Sequence, residues 1–382
     1  MKVVWRAGRA WVRRAGDWLE RCPRWQWLAV GWGVLALLPV VCSWPRFGTD
    51  PAIDRVWRPH FERVVAQKVA DPWHDYTREF APGKNEAKRN FRVAVPLVAH
   101  LTGTGLAGVH ATRLALQAVL LLTLLLAAER ACRDRRMALG LALAVAGTYV
   151  GTSVWRDVCL WFDHCAYGLL AVALLARGPG LAMGAVVLAA FTDERALLAV
   201  PALVAFHRWT GAGAAVRLAL AAAVPAYVAL RLGLRGPLEF WPPGQGVGNA
   251  SVVARNLEVA APGLWSALEG GWIALVAAGA WLAREAAGRR EAVLAVAGLL
   301  PVAAAFAVGD FTRSAAYAFP AVLAAGAVLA RPGAGEAGGR RVAWLAAAWS
   351  LAVPNLFVMD QILVEQWLPV VAFNAWLGGG GG

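Results

Sequence analysis

The sequence predicts a polytopic, all-α bundle of transmembrane helices, and three observations indicate this fold class. Hydrophobic residues make up 59% of the 382 residues. The mean hydropathy is positive, at +0.53. Long apolar runs of Ala, Leu and Val alternate with short loops in which arginine is the main charged residue. Because a backbone in lipid must satisfy its own polar groups, such runs are expected to be helices that cross the membrane.

About eleven apolar segments are candidate spans, although several are short for a hydrocarbon core roughly 30 Å thick. They belong to one predicted transmembrane domain, residues 26–377, which is followed by a glycine tail at 378–382. The apolar residues 93–109 are not counted, because one more crossing there would break the alternation of the loops. The predicted spans are residues 26–43, 111–128, 137–154, 160–176, 180–192, 194–208, 214–232, 271–284, 292–308, 314–330 and 342–358.

Residues 1–25 are predicted to form an amphipathic helix on the cytoplasmic surface of the membrane. Basic residues there are interleaved with Trp5, Trp11 and Trp18 at roughly helical spacing. The formal net charge of +13 raises the alternative of nucleic-acid binding. The positive-inside rule already explains this charge, so no nucleic-acid partner is expected. The bias toward Ala, Arg and Gly is typical of GC-rich bacterial genomes, which favours a bacterial inner membrane as the location.

The stretch VVLAAFTDERALLAVPALVAF places Asp193, Glu194 and Arg195 together inside an apolar run. Each such charge costs about 2.5 to 3.5 kcal/mol at the centre of a membrane helix, so the three residues need a special location. Residues 180–208 form either one continuous helix or a hairpin that turns at 192–195. We predict the hairpin, with its charged tip in a water-accessible cleft open to the outside. In this topology four Arg-rich loops share the cytoplasmic side, as the positive-inside rule requires: residues 129–136, 207–217, 284–291 and 331–341.

The same topology collects polar side chains from several helix ends on the external side. Together they indicate a candidate substrate-binding site, although loops and helix ends favour charge without any function. For Asp193 and Glu194, pairing with Arg156 or Arg313 is the simplest structural role. The candidate binding residues at the helix ends are Arg156, His164, Asp193, Glu194, Arg195, Asp310 and Arg313.

Two external loops are long, residues 45–110 and 233–269. The first is rich in basic and aromatic residues and is predicted to form interfacial helices at the outer membrane surface. Lys84, Lys88, Arg89 and Arg92 in this loop are candidate contacts for phosphate groups. The phosphate would belong either to bulk membrane lipid or to a lipid-phosphate substrate.

The order of these segments carries a resemblance to a known family. A first span is followed at once by an external loop with an acidic residue, then by interfacial helices and many spans with short turns. TDERALLAVPAL is an acidic group followed by an apolar helix, and FTRSAAYAFPAVLAAG is a late helical segment. This layout resembles integral-membrane glycosyltransferases with the C-type fold, and both stretches are similar to segments of that superfamily. The resemblance implies transfer of a sugar from a polyprenyl-phosphate carrier to an acceptor outside the cytoplasmic membrane.

The resemblance also implies roles for individual residues. In that family an acidic residue of the first external loop acts as general base or binds a metal, and basic residues hold the donor phosphate. Asp50 would be the loop acid and Asp54 its reserve, although Pro51 follows Asp50 and the usual pair of adjacent acids is missing. Arg195 or Arg313 would hold the phosphate, because a guanidinium donates bidentately and keeps its charge. Whether a divalent cation serves as cofactor is left open, and no residue is assigned as a metal ligand.

Two alternatives from other functional classes stay open. A secondary transporter or flippase would use the charged hairpin as a re-entrant gate, since transporters place ionisable groups at broken helices. A non-catalytic membrane scaffold would use the long external loop to bind a partner. No glycine-rich phosphate loop, dinucleotide fingerprint or nucleophile elbow occurs in the sequence, so soluble nucleotide chemistry is not expected.

Overall fold

A computed structural model describes most of the helical part of the chain. The described residues are 14–42, 58–76, 79–80, 86–157, 159–234, 250–285, 289–334, 336–352, 356–359 and 361–364. Within these ranges the chain is helical, apart from turns and one short β-hairpin.

The helices overlap the predicted apolar segments, but the predicted spans 137–154, 292–308 and 314–330 are each divided into shorter helices. They are α1 (14–21), α2 (Arg24–Cys42), α3 (Arg58–Ala70), α4 (Ala94–Leu101), α5 (Gly105–Cys132), α6 (Arg135–Ala146), α7 (Tyr149–Arg156), α8 (Asp163–Leu175), α9 (Pro179–Ala190), α10 (Val200–Trp209), α11 (Ala214–Gly233), α12 (Ala250–Glu258), α13 (Ala260–Leu268), α14 (Gly271–Arg284), α15 (Arg289–Ala297), α16 (Leu300–Ala305), α17 (Phe311–Ala315), α18 (Phe319–Leu329) and α19 (Glu336–Ala352). Short 3-10 helices cover Ala87–Phe91, Glu194–Ala199, Ala316–Ala318 and Pro332–Ala334.

Four helical stretches in the described ranges are long and apolar enough to cross a membrane. They are α2, α5, α11 and the composite run Phe311–Leu329. The number rises to six if two bent pairs each count as one span, α6 with α7 at 43° and α13 with α14 at 87°. Helices α8 and α9 are apolar but shorter. A helical membrane protein is therefore the class that the structure supports, and the count of about eleven crossings stays a prediction.

The last predicted span, residues 342–358, is wrong at its C-terminal end. Helix α19 ends at Ala352, whereas the prediction continued to residue 358. Leu356–Met359 is instead a β-strand that pairs antiparallel with Gln361–Val364. The sequence places Pro354 just after the end of the helix, and proline lacks the N–H that a continuing helix needs.

The four Arg-rich loops meet at one end of the bundle, which we call the basic end. Arg340 Nε lies 3.3 Å from Asp134 Oδ2, which joins loops 331–341 and 129–136. Arg331 binds Glu285 and Glu291, both at 3.1 Å, and Arg208 lies 3.9 Å from Glu291. The predicted grouping of these loops on one side is confirmed, while the side of the membrane stays a prediction.

Residues 180–208 turn back instead of crossing as one rod. Arg195 Nη2 lies 3.0 Å from Asp163 Oδ1, at the start of α8. His207 Nε2, near the end of α10, lies 2.8 Å from the carbonyl oxygen of Ala173, near the end of α8. Ten residues of helix separate these two positions of α8 by about 15 Å. Because α9 begins just after α8 ends and then approaches Asp163, α9 and α10 run in opposite directions, and the predicted hairpin is confirmed.

A layer of short elements from residues 58–101 packs on the bundle away from the basic end. Val65 of α3 and Val95 of α4 share a buried cluster with Leu160 and Phe162. Buried Lys68 fixes the layer internally, because its Nζ donates to the carbonyl oxygens of His74 at 2.8 Å and Asn90 at 3.2 Å. The predicted helices of the first long loop are thus present, and their position at a membrane surface stays a prediction.

Reporter fusions test the grouping of the loops. Fusions of alkaline phosphatase and of green fluorescent protein after Arg133, Gly211 and Gly338 are expected to report the same side of the membrane. Fusions after Gly103 and Gly309 are expected to report the opposite side, because these residues lie at the end that contains Asp163. Opposite reports from Arg133 and Gly211 would contradict the hairpin.

Gly270 allows α14 to approach α19 closely, which gives a stability test. A Cβ at Gly270 would lie 1.9 Å from the backbone oxygen of Ala346. Gly270→Ala is therefore expected to lower stability by about 1 to 3 kcal/mol through overpacking. Gly184→Ala is the matched control, because a Cβ there meets nothing within 4 Å. Thermal unfolding in detergent measures both, and equal melting temperatures would contradict the close approach.

Candidate functional site

Asp163 is the centre of a buried ion cluster at the end of the bundle opposite the basic end. Arg313 donates Nε to Oδ2 at 2.6 Å and Nη2 to Oδ1 at 3.0 Å. Arg195 Nη2 donates to Oδ1 at 3.0 Å, and the Tyr149 hydroxyl donates to Oδ2 at 3.1 Å. A carboxylate offers about four acceptor positions, so these four donors fill the group.

Asp193 is the second buried carboxylate, and both of its oxygens are also occupied by nearby donors and cations. Its Oδ1 accepts the backbone N–H of Arg195 at 3.0 Å and Arg195 Nε at 2.9 Å. Its Oδ2 accepts Arg195 Nη2, and Arg92 Nη2 lies 3.1 Å from the same oxygen as an ion pair. Asp193 thereby connects the hairpin tip to the 58–101 layer, which supplies Arg92. We define the ion cluster as Arg92, Asp163, Asp193, Arg195 and Arg313.

Two breaks in the helices deliver Arg195 and Arg313. Asp193 caps a 3-10 helix, Glu194–Ala199, that leads into α10 with a proline in its first turn. Arg313 lies on α17, and a 3-10 helix, Ala316–Ala318, leads into α18, again with an early proline. A proline early in a helix needs no N–H partner, so each helix starts anew after the charged turn. The same local pattern, a charged turn followed by a 3-10 helix and a proline, thus occurs twice and positions one arginine each time.

The loop before Asp163 is held in a strained backbone conformation. Leu160 and Phe162 have positive φ values of 56° and 66°, which bulky residues rarely adopt. Asp157 stabilises the loop by accepting the N–H groups of Trp161 at 2.7 Å and Phe162 at 2.8 Å. Burial alone would raise the pKa of the Asp157 carboxyl, but Arg113 and other nearby cations outweigh it, and the pKa lies below its usual value.

Arginines of the 58–101 layer clamp this loop from outside. Arg89 donates to the carbonyl oxygens of Leu160, at 2.9 Å, and Cys159. Arg92 Nη1 donates to the carbonyl oxygen of Trp161 at 2.8 Å. The Trp161 ring lies 4.4 Å from the Arg89 guanidinium carbon and 5.0 Å from that of Arg92. Burial and the neighbouring Arg92 lower the pKa of Arg89 to about 10, so Arg89 stays charged at neutral pH.

Exposure differs sharply among the charged groups. The side chains of Asp163 and Asp193 are fully buried, and that of Arg313 is 4% exposed. Arg195 keeps 13% exposure, Asp310 keeps 32%, and Glu194 is exposed. Among the described residues, the cluster therefore meets solvent mainly along the edge formed by Arg195 and Asp310.

The structure brings together five of the predicted site residues: Arg92, Asp193, Arg195, Asp310 and Arg313. The predicted pairing of Asp193 with Arg156 or Arg313 was wrong, because Asp193 pairs with Arg195, which it positions, and with Arg92. The predicted open tip is also wrong for Asp193 and Thr192, which are buried.

The other predicted residues stand apart from the ion cluster or outside the described part of the chain. His164 is buried, and its Nε2 accepts Arg113 Nε at 3.4 Å. Arg156 is buried at the end of α7, with its guanidinium 5.7 Å from the Tyr149 ring. Asp50, Asp54 and the side chain of Lys88 lie outside the described residues. Asp50 and Asp54 therefore keep their predicted roles only by resemblance.

Sequence reasoning missed Tyr149 and Trp161 as site residues, and it did not identify Asp163 as the centre of the cluster. Asp163 carries a usable signal, because it is an acid at the start of an apolar helix on the predicted external side. Tyr149 and Trp161 carry none, because their contacts depend on how distant segments pack. In the part of the chain that the structure describes, no group of three or more His, Cys, Asp or Glu side chains is placed to hold a metal ion.

Breaking the buried pair tests its contribution to stability. Asp163→Asn leaves two buried arginines without their shared counter-charge and is expected to lower stability by about 3 to 5 kcal/mol. Glu129→Gln is the matched control, because its partner Arg24 is 64% exposed and the expected loss is within about 1 kcal/mol. Chemical denaturation in detergent measures both. Equal losses would contradict a central role for Asp163.

No family model matches this chain, and no curated protein or solved structure matches it. A function is therefore proposed from the geometry of the ion cluster together with the resemblance in layout.

Proposed function

We propose that the protein is a membrane glycosyltransferase that moves a sugar from a lipid-phosphate carrier to an acceptor on the external face of a bacterial inner membrane. The observation that supports this most is the convergence of Arg92, Arg195 and Arg313 on two buried aspartates at the end away from the basic loops. Glycosyl transfer from a phosphate needs fixed positive charge beside the leaving group as the bond opens.

The arginines keep donors for a ligand after their internal contacts are made. A guanidinium has five N–H groups. In the described contacts Arg313 uses three, two to Asp163 and one to Asp310, and so retains one hydrogen on Nη1 and one on Nη2. Arg195 Nη1 donates once, to Ser314 Oγ at 2.9 Å, and retains a second hydrogen. Since Asp163 and Asp193 fix both guanidiniums, these free donors are preorganised for an anion.

The first external loop would supply the acid that the family resemblance implies. Asp50, with Asp54 as its reserve, would act as a general base or a ligand of a divalent cation. Lys88 and Arg92 would contact the carrier phosphate or nearby lipid headgroups. The partners would be membrane lipid and the lipid-linked sugar donor.

A secondary transporter or flippase is the second candidate, and one observation favours it. The two helix breaks at 192–199 and 310–318 lie side by side around buried charges, as in the discontinuous helices of transporters. Uptake of a solute into proteoliposomes along an ion gradient would support this candidate. A non-catalytic scaffold would show neither uptake nor transfer.

Sugar transfer from polyprenyl-phosphate donors by the purified protein in proteoliposomes tests the enzyme proposal. Arg195→Lys keeps the charge but loses the planar fork, so the transfer rate is expected to fall on the order of 100-fold. Arg208→Lys at the basic end is the matched control and is expected to leave transfer unchanged. Asp50→Ala is expected to abolish transfer while the melting temperature stays the same.

One result would contradict the proposal, and another would change the mechanism within it. Wild-type protein that transfers sugar from none of a panel of polyprenyl-phosphate donors would remove the activity. Asp50→Ala with undiminished transfer would remove Asp50 from the mechanism but leave the phosphate site intact.

A further inference from the structure

The carboxylates around the ion cluster differ in how many acceptor positions they have left. Asp163 and Asp193 are fully buried. Asp163 accepts four hydrogen bonds, and Asp193 accepts three and forms an ion pair with Arg92. Asp157 is buried and accepts two backbone N–H groups, with Arg113 within 4.0 Å. Protonation of Asp163 or Asp193 would weaken the ion cluster, and protonation of Asp157 would weaken the loop before Asp163.

Asp310 is different. Its Oδ2 accepts Arg313 Nη1 at 2.9 Å, and its side chain is 32% exposed. The contacts among described residues leave Oδ1 available. Asp310 immediately precedes α17, three residues before Arg313, so its position is set by the same turn that sets the arginine.

We propose that Asp310 is a catalytic residue, the general base that accepts the proton of the acceptor hydroxyl. This inference rests on the proposed glycosyltransferase function and assigns a base within it. It leaves Asp50 the other role that the family resemblance allows, that of a metal ligand.

The step is balanced in atoms and charge. The acceptor oxygen forms a bond to the anomeric carbon of the sugar as its O–H proton passes to Asp310 Oδ1. The bond between the anomeric carbon and the phosphate oxygen breaks, and its electron pair stays on the phosphate. Arg313 and Arg195 stabilise that charge with their free N–H groups. Asp310 then returns the proton to water.

The groups that face Asp310 favour this role. Arg313 is the charged partner, and it holds one carboxylate oxygen so that the other has a fixed direction. The Cys159 thiol also lies near Asp310, and burial raises the pKa of that thiol to about 11, so it is neutral during turnover. Arg313 therefore fixes the direction of Asp310 Oδ1, and the acceptor hydroxyl would bind within hydrogen-bond reach of that oxygen.

Kinetics of Asp310 variants in the full-length protein test the assignment. Asp310→Asn keeps an acceptor for Arg313 but removes the base, so kcat is expected to fall on the order of 100-fold to 10,000-fold with little change in donor KM. The acidic limb of the pH profile is expected to disappear. Formate is expected to restore part of the rate to Asp310→Ala, which a purely structural role would not allow.

Glu285→Gln is the matched control, because Glu285 is a half-exposed acid paired with Arg331 at 3.1 Å at the basic end. It is expected to leave kcat and the pH profile unchanged. An Asp310→Asn variant with normal kcat, or with its acidic limb intact, would overturn the proposal. The proposal would also be overturned if the acidic limb of the pH profile disappeared in Glu194→Gln but not in Asp310→Asn.

Carboxylate labelling separates failure of this inference from failure of the proposed function. With a carbodiimide and an amine nucleophile, mass spectrometry is expected to find Asp310 modified and Asp163 and Asp193 unmodified. Added polyprenyl phosphate is expected to protect Asp310 but not Glu285. If the wild-type protein transfers no sugar, protection still supports Asp310 as the carboxylate that meets the ligand, and its absence overturns the inference.

Discussion

The structure depends on one carboxylate that is shared by two arginines. Asp163 accepts Arg195 and Arg313, which come from two separate breaks in the helices. If either arginine were absent, the other could still pair with Asp163. If Asp163 were absent, two buried guanidiniums would repel each other in a medium of low dielectric constant. The position of both helix breaks is therefore tied to a single side chain at the start of α8.

Burying so many charges is tolerable only because each meets an opposite charge or several hydrogen bonds. Arg89 has no carboxylate among its described hydrogen-bond partners, and its charge is met by two carbonyl oxygens and by the rings of Phe61 and Trp161. The same contacts hold the strained loop before Asp163. The first long loop thus contributes to the geometry of the ion cluster, and is not merely a connection between spans.

The coarse fold could be predicted from the sequence because the distribution of arginine among the loops indicates which loops lie on the same side of the bundle. The hairpin at 180–208 followed from the distribution of arginine among the loops, and the contacts of Arg195 and His207 agree with it. The pairing of Arg313 with Asp163 could not be predicted, since 150 residues separate them and the contact depends on packing. The end of α19 was misjudged because apolar residues beyond Pro354 fit a strand as well as a helix.

Three helical segments begin close to Asp163. Helix α8 begins at Asp163, the 3-10 helix before α10 begins just after Asp193, and α17 begins just after Asp310. The first turn of a helix carries partial positive charge from its unsatisfied N–H groups. Of these segments only α8 is long enough for this effect to matter, and its first turn lies at Asp163. Its N-terminal partial charge therefore adds to the positive charge that the guanidiniums of Arg195 and Arg313 place around that carboxylate.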